Sequence, residues 1–251
     1  MIRKVFGGPF SGKVMKRLEN CNRAMHLRWL PQANLPEILC NPALPGRDIT
    51  STMWKMLREK RRIAFFGGTF DPIHRGHIEM AQAAVDRLDL NQVYFVPAGR
   101  NPLKKDVPMA SDQDRVEMIR LGIAGYPKFN LWDAELSREG PSYTLDSVRH
   151  VEQVFPNAHL FWLIGADQLP FLHQWYGINE LVLKIGFILV SRAGYAEELP
   201  RIPGIRLYPV ENPPVPVSAT GIRSRVRKGL SLKGLTPDPV VDYVCKNRLY
   251  L

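Results

Sequence analysis

Short apolar runs alternate with amphipathic stretches from residue 62 onwards. The first apolar run is 63–66, and residues 78–88 follow it with apolar side chains at helical spacing. The same alternation continues to the end of the chain. It predicts strands at 63–66, 93–96, 129–132, 159–164, 185–190 and 205–208, and helices at 78–88, 111–122, 142–155, 180–183, 218–228 and 239–248.

The order of these elements indicates a fold class. Strands that alternate with helices form parallel units joined by right-handed crossovers. The strands are continuously apolar, as expected when helices cover both faces of a sheet. We therefore expect a doubly wound α/β domain over residues 61–251, with ligands bound beyond the carboxyl ends of its strands.

Residues 1–60 lack this pattern. They hold 11 Lys and Arg against 4 Asp and Glu, whereas residues 61–251 hold 23 against 20. We predict a basic, proline-containing extension that is poorly ordered, because prolines interrupt its second half and no periodic apolar run supports a core. These prolines are Pro31, Pro36, Pro42 and Pro45.

Composition narrows the class of protein further. The net charge of +10 suggests nucleic-acid binding, but most of the excess lies in residues 1–60, so we expect no nucleic-acid partner for the domain. No apolar run approaches the length of a membrane helix. Three widely spaced cysteines form no disulfide framework, which favours the reducing cytoplasm.

The first predicted strand runs into a loop with the sequence Gly67-Gly68-Thr69-Phe70-Asp71-Pro72-Ile73-His74-Arg75-Gly76-His77. Glycines allow a tight turn and a close backbone approach to a ligand, and a helix N-terminus favours phosphate. Two imidazoles beside it can donate hydrogen bonds to phosphoryl oxygens. A metal site and a pair of structural histidines remain alternatives, although the sequence offers no third histidine at matching spacing.

A second phosphate site is predicted near residue 220. Ser218 or Thr220 can cap the helix that follows, and Arg223 adds a guanidinium at its start. An ordinary capped helix with a solvated basic face is the alternative, since Arg225 and Arg227 follow.

Both motifs resemble those of a known superfamily. The sequence GGTFDPIHRGH is similar to the (H/T)xGH element of Rossmann-like nucleotidyltransferases, and Val217-Ser218-Ala219-Thr220-Gly221-Ile222-Arg223 is similar to their ISSTxIR element. The resemblance implies transfer of a nucleotide from a nucleoside triphosphate to a phosphate-bearing acceptor, with release of pyrophosphate.

Three further segments resemble the bacterial nicotinate-nucleotide adenylyltransferases. They are Gly165-Ala166-Asp167-Gln168-Leu169, Pro141-Ser142-Tyr143-Thr144, and Ser191-Arg192-Ala193-Gly194-Tyr195. This resemblance covers residues 61–251 and implies ATP and nicotinate mononucleotide as substrates. A related enzyme with another acceptor, such as phosphopantetheine, and a cytidylyltransferase are the alternatives within the superfamily.

The resemblance also implies roles for individual residues, with Mg²⁺ held through the ATP phosphates and without protein metal ligands. At one position the sequence departs from the family, because Leu103 stands where a histidine is frequent. The implied roles are catalysis for His74, His77 and Arg223; ATP binding for Gly67, Gly68, Thr69, Gly165, Asp167, Arg192, Ser218, Thr220 and Ile222; and acceptor binding for Phe70, Lys104, Tyr143, Thr144 and Trp175.

Overall fold

The computed structural model describes residues 60–99, 107–191, 201–213 and 215–251. Within these ranges six strands form one parallel sheet. They are β1 (Arg62–Gly68), β2 (Gln92–Pro97), β3 (Phe129–Leu131), β4 (His159–Gly165), β5 (Gly186–Ser191) and β6 (Leu207–Glu211). The strand order is β3-β2-β1-β4-β5-β6, with every neighbouring pair parallel.

Helices connect the strands from β1 to β5 and cover both faces of the sheet, which confirms the predicted doubly wound, Rossmann-like α/β fold. The predicted extension, up to residue 59, lies outside the described residues. The helices are α1 (Arg75–Leu88), α2 (Asp112–Ile123), α3 (Thr144–Val154), a 3-10 helix (Ala166–Gln174), α4 (Ile178–Lys184), α5 (Ala219–Arg227) and α6 (Asp238–Lys246).

Two hydrophobic clusters lie on opposite faces of the sheet. Successive side chains of a strand point to opposite faces, so Ala64 and Phe66 enter one cluster while Ile63 and Phe65 enter the other. Helices α1, α2, α5 and α6 supply the first cluster, and α3, α4 and the 3-10 helix supply the second. The sheet is therefore buried on both sides, as its continuously apolar strands predict.

Helix α2 starts where the sequence predicts. Ser111 is its N-cap, and Ser111 Oγ accepts a hydrogen bond from the backbone N–H of Asp114 at 3.1 Å. On the buried face of this helix Val116 is only half-buried, whereas Arg115 is completely buried. A charged residue thus occupies a core position beside an apolar residue that is partly exposed.

The two largest departures from the predicted elements are a 3-10 helix and the last strand. The 3-10 helix was not predicted, and Pro170 lies inside it. The last strand, predicted at 205–208, is found at Leu207–Glu211 and includes Pro209. Proline is tolerated there because β6 is at the edge of the sheet, where a missing N–H need not break the pairing.

The direction of the strand order reverses between β1 and β4. The chain proceeds from β1 to β2 on one side, and from β4 to β5 on the other. The crossovers diverge at this point and leave a crevice beyond the carboxyl ends of β1 and β4. None of the helices in the described part of the chain is long and apolar enough to span a bilayer.

Candidate active site

A cleft of about 940 Å³ opens at the carboxyl ends of β1 and β4, where the strand order reverses. Helix α1, the first turns of α3 and α5, and the 3-10 helix all contribute to its lining. The structure thus brings both predicted phosphate sites and the predicted acceptor segment to one cavity. The predicted site residues that line it are Gly67, Gly68, Thr69, Phe70, His77, Tyr143, Thr144, Gly165, Asp167, Trp175, Thr220 and Arg223.

The end of β1 approaches Trp162 of β4 closely. A Cβ atom added to Gly67 would lie 2.8 Å from Cζ2 of Trp162. Any side chain at residue 67 would therefore require this ring to move. Glycine at this position keeps the backbone of β1 at the surface of the cleft, as close contact with a ligand requires.

His74 and His77 stack against each other at the start of α1. Their ring centroids are 3.6 Å apart and the ring planes differ by 16°. The backbone N–H of His74 donates a hydrogen bond to Nδ1 of His77 at 3.2 Å. Since Nδ1 accepts this bond, the neutral His77 ring carries its proton on Nε2, and the Nε2–H group is its donor.

His74 is the N-cap residue of α1, and its side chain is only 8% exposed. Burial lowers the pKa of His74 to about 4, so the ring is neutral at pH 7. A Cβ atom at Gly76 would lie 3.1 Å from Nδ1 of His74 and 3.3 Å from Cγ1 of Val217. Glycine between the two histidines therefore lets the His74 ring and the segment before α5 pack together.

Arg223 extends from α5 to the glycine loop, which we define as residues 67–74. Its Nη1 donates to the main-chain oxygen of Asp71 at 2.7 Å, and its Nη2 donates to Oγ1 of Thr220 at 3.2 Å. The side chain is 21% exposed. These two bonds fix a guanidinium at the edge of the cleft, beside the start of α5, where it can meet a phosphate.

Asp71 connects the glycine loop to other parts of the chain through its side-chain carboxylate. Its buried carboxylate accepts hydrogen bonds from the backbone N–H groups of Met109 and Ala110, at 2.8 and 3.2 Å. It also accepts a bond from the hydroxyl of Tyr250 at 2.8 Å. With three donors already bound, the carboxylate acts by holding the loop in place.

Aromatic side chains line the opposite part of the cleft. Tyr143, the N-cap residue of α3, packs against Tyr176 with ring centroids 4.6 Å apart. Trp175 borders the cleft and also packs on Phe187 of the core at 6.2 Å. Its buried Nε1–H has no hydrogen-bond partner among the described residues. A flat, partly polar ligand suits this arrangement.

A model of the cytidylyltransferase-like family matches residues 65–225. The chain is 39% identical over 192 residues to a probable nicotinate-nucleotide adenylyltransferase of Geobacillus kaustophilus, which covers 75% of this chain and 86% of that protein. It is 40% identical over 193 residues to the nicotinate-nucleotide adenylyltransferase of Bacillus subtilis, with 76% and 98% covered. The chain belongs to the nicotinate-nucleotide adenylyltransferase family.

Solved structures show the same fold. A nicotinic acid mononucleotide adenylyltransferase from Plasmodium falciparum, complexed with NaAD, superposes with a TM-score of 0.63 at 23% identity. The match covers 76% of this chain and 97% of that one. The two chains therefore share one fold, which takes up nearly all of the Plasmodium falciparum chain and about three quarters of this chain.

Some residues predicted to act in this adenylyltransferase site do not line the cleft. His74 stacks behind His77, and Ser218 accepts a hydrogen bond from the N–H of Gly221 as the N-cap of α5. Ile222 is completely buried in the core, so its side chain anchors α5 rather than facing the cleft. Lys104 and Arg192 lie outside the described residues.

Sequence reasoning missed two buried polar residues beside the adenylyltransferase cleft. Arg115 of α2 donates to the main-chain oxygen of Thr69 at 2.8 Å and so supports the glycine loop. Glu135, which lines the cleft, accepts a hydrogen bond from Ser147, and burial raises the pKa of Glu135. Neither residue belongs to a motif, and each was hidden among apolar or exposed neighbours in the sequence.

Proposed function

We propose that the chain transfers the adenylyl group of ATP to nicotinate mononucleotide, giving deamido-NAD and pyrophosphate. The observation that carries this proposal is the shared cleft, in which two phosphate-binding elements face an aromatic acceptor segment. Family membership at 38–40% identity supports the same activity.

The acceptor phosphate is already an anion at pH 7, so no general base is needed. One of its oxygens forms a bond to the α-phosphorus of ATP, while the bond from that phosphorus to the oxygen bridging to the β-phosphate breaks. The leaving group departs as pyrophosphate. The protein contributes by orienting two anions in line and by stabilising the charge that develops on the phosphoryl oxygens.

The triphosphate is assigned to the elements around the glycine loop. The Nε2–H of His77 donates to the phosphoryl oxygens, and the neutral His74 ring behind it holds His77 in place. Arg223 binds the β- and γ-phosphates together with the first N–H groups of α5, whose N-cap is Ser218. The exposed Asp167 carboxylate accepts hydrogen bonds from the ribose hydroxyls.

The acceptor is assigned to the aromatic part of the cleft. The rings of Tyr143 and Trp175 flank the pyridine ring, and the start of α3 at Thr144 offers backbone N–H groups to its carboxylate. Nicotinate carries this carboxylate and nicotinamide does not. The positive end of α3 therefore favours the nicotinate nucleotide.

Mg²⁺ is proposed to enter the site with ATP. Among the described residues no group of three or more His, Cys, Asp and Glu side chains could hold a metal ion. We propose that the ion is held by the ATP phosphates and by water. When bound, it neutralises part of the charge on the triphosphate. We propose that the reaction takes place in the cytoplasm, the compartment that a sequence with only three, widely spaced cysteines favours.

A pyrophosphate-release assay with ATP and a panel of acceptors tests the proposal. The panel contains nicotinate mononucleotide, nicotinamide mononucleotide and 4′-phosphopantetheine. We expect the highest kcat/KM with nicotinate mononucleotide. A higher value with phosphopantetheine, or turnover of CTP in preference to ATP, would assign the chain to a different nucleotidyltransferase reaction.

A further inference from the structure

The last part of the chain holds the glycine loop and the first residue of α1 at three points. The hydroxyl of Tyr250 donates to Oδ1 of Asp71 at 2.8 Å, and Oγ1 of Thr236 donates to the main-chain oxygen of Ile73 at 2.7 Å. The N–H of Arg75 donates to the main-chain oxygen of Leu235 at 3.0 Å. Residues 235–250 therefore fix the loop on both sides of His74.

Tyr250 is linked to the cleft through a single residue. Asp71 accepts the Tyr250 hydroxyl with its carboxylate and the Arg223 guanidinium with its main-chain oxygen. Nη1 of Arg223 also lies 3.9 Å from Oδ2 of Asp71. A displacement of Asp71 as a whole, backbone and side chain together, would therefore move both oxygens against which the guanidinium is placed.

The Tyr250 hydroxyl stays protonated and therefore remains a hydrogen-bond donor. Tyr250 is 5% exposed, and its hydroxyl also lies 3.8 Å from the sulfur of Met118. Burial and the neighbouring Asp71 carboxylate raise the pKa of Tyr250 well above its ordinary value, so the hydroxyl keeps its proton. Oδ1 of Asp71, which accepts this bond, is also buried, so water does not compete with the hydroxyl for it.

We propose that Tyr250 is a positioning residue for ATP: acting through Asp71, it holds the guanidinium of Arg223 where the triphosphate binds. An arginine side chain has many rotamers, and a guanidinium fixed before binding loses less freedom when the phosphate arrives. Tyr250 itself is not among the residues that line the cleft. The inference rests on the proposed assignment of ATP to this cleft.

The chain offers a matched control for the Tyr250 hydroxyl. Tyr243 of α6 donates to Oδ1 of Asp114 at 2.9 Å, so it forms the same kind of tyrosine–carboxylate bond within the same C-terminal part. Neither Tyr243 nor Asp114 lines the cleft. The variants Tyr250→Phe and Tyr243→Phe each remove one oxygen and keep the ring.

The test is the dissociation constant of ATP, measured by calorimetry on both variants of the full chain. We expect Tyr250→Phe to raise it about tenfold, as for a lost hydrogen bond to a charged group, while the acceptor KM stays unchanged. Tyr243→Phe is expected to change neither constant. The binding stoichiometry reports the folded fraction, so a loss of folded protein is not mistaken for a loss of affinity.

A double-mutant cycle with Arg223 identifies the path of the effect. In an Arg223→Lys background, Tyr250→Phe should weaken ATP binding little further, because the group that it positions is already gone. Three results would each overturn the inference. Folded Tyr250→Phe could bind ATP with an unchanged dissociation constant, or the two tyrosine variants could lose ATP affinity equally. The third is a full additional loss of ATP affinity when Tyr250→Phe is added to Arg223→Lys. ATP binding without turnover of nicotinate mononucleotide would instead refute the proposed acceptor and leave this inference intact.

Discussion

The backbone N–H of His74 donates a hydrogen bond to Nδ1 of His77, and the two rings lie 3.6 Å apart. This contact fixes the tautomer of His77 and the direction of its Nε2–H group. The first histidine of the motif thus orients the second one. Their roles differ, and each role leads to a separate experiment.

His77→Ala is expected to lower kcat by about 10²–10³ and to leave the KM for ATP nearly unchanged, because the proposed role of its donor is to meet charge that develops in the transition state. His77→Gln should retain more activity than His77→Ala, since its amide nitrogen reaches about as far as Nε2. Steady-state kinetics at saturating acceptor measure both effects. The control is His159→Ala, an exposed histidine at the opposite end of β4. If folded His77→Ala has a kcat within a few-fold of wild type, His77 is not a catalytic residue.

His74 should make stability depend on pH. Its pKa falls from 6.5 in the unfolded chain to about 4 in the fold, so between these values the unfolded chain binds more protons. The contribution of the neutral ring is complete above pH 6.5 and is lost as the pH falls towards 4, by up to about 3 kcal/mol.

The variant His74→Asn isolates this contribution, since asparagine is a favourable N-cap. Urea unfolding at pH 7.5 and pH 4.5 should show a smaller loss of stability for His74→Asn than for wild type. The exposed His159, replaced in the same way, should leave the loss unchanged. Identical pH dependence in wild type and His74→Asn would show that the buried ring does not control acid sensitivity.

Acceptor choice is expected to depend on Tyr143. Its ring lines the cleft and packs on Tyr176, far from the glycine loop in sequence. Tyr143→Ala should raise the KM for nicotinate mononucleotide by at least about tenfold and leave the KM for ATP within about twofold, because only a ring contact is lost. Phe171→Ala removes a half-exposed ring outside the cleft and serves as the control. Equal increases in both KM values would argue against the assignment of this ring to the acceptor.

A chain that begins at residue 61 is expected to fold and to keep its turnover. Three quarters of this chain already cover 98% of the relatives from Bacillus licheniformis and Bacillus subtilis. We expect kcat/KM within about threefold of the full chain. Most of any salt-sensitive binding to nucleic acid should disappear with the basic extension. Loss of folding or of most turnover would show that residues 1–60 belong to the enzyme.

Sequence patterns predicted the parts of the fold that depend on local chemistry. The run Ile63 to Phe66 before two glycines marks β1 and its turn, and Ser218 marks the start of α5. The burial of Arg115 could not be predicted, because apolar spacing identifies a buried helix face only from its apolar residues. The contact between Tyr250 and Asp71 could not be predicted, because it joins residues 179 positions apart and no local sequence pattern indicates it.

That distance along the chain also sets the order in which a nascent chain can complete its site. A ribosome synthesises the glycine loop early, but the groups that anchor it, Thr236 and Tyr250, follow more than 160 residues later. The sheet can begin to assemble while the loop still lacks these partners. We therefore expect adenylyl transfer to require residues 235–250, so translation products that stop before residue 235 should be inactive even where their strands have paired.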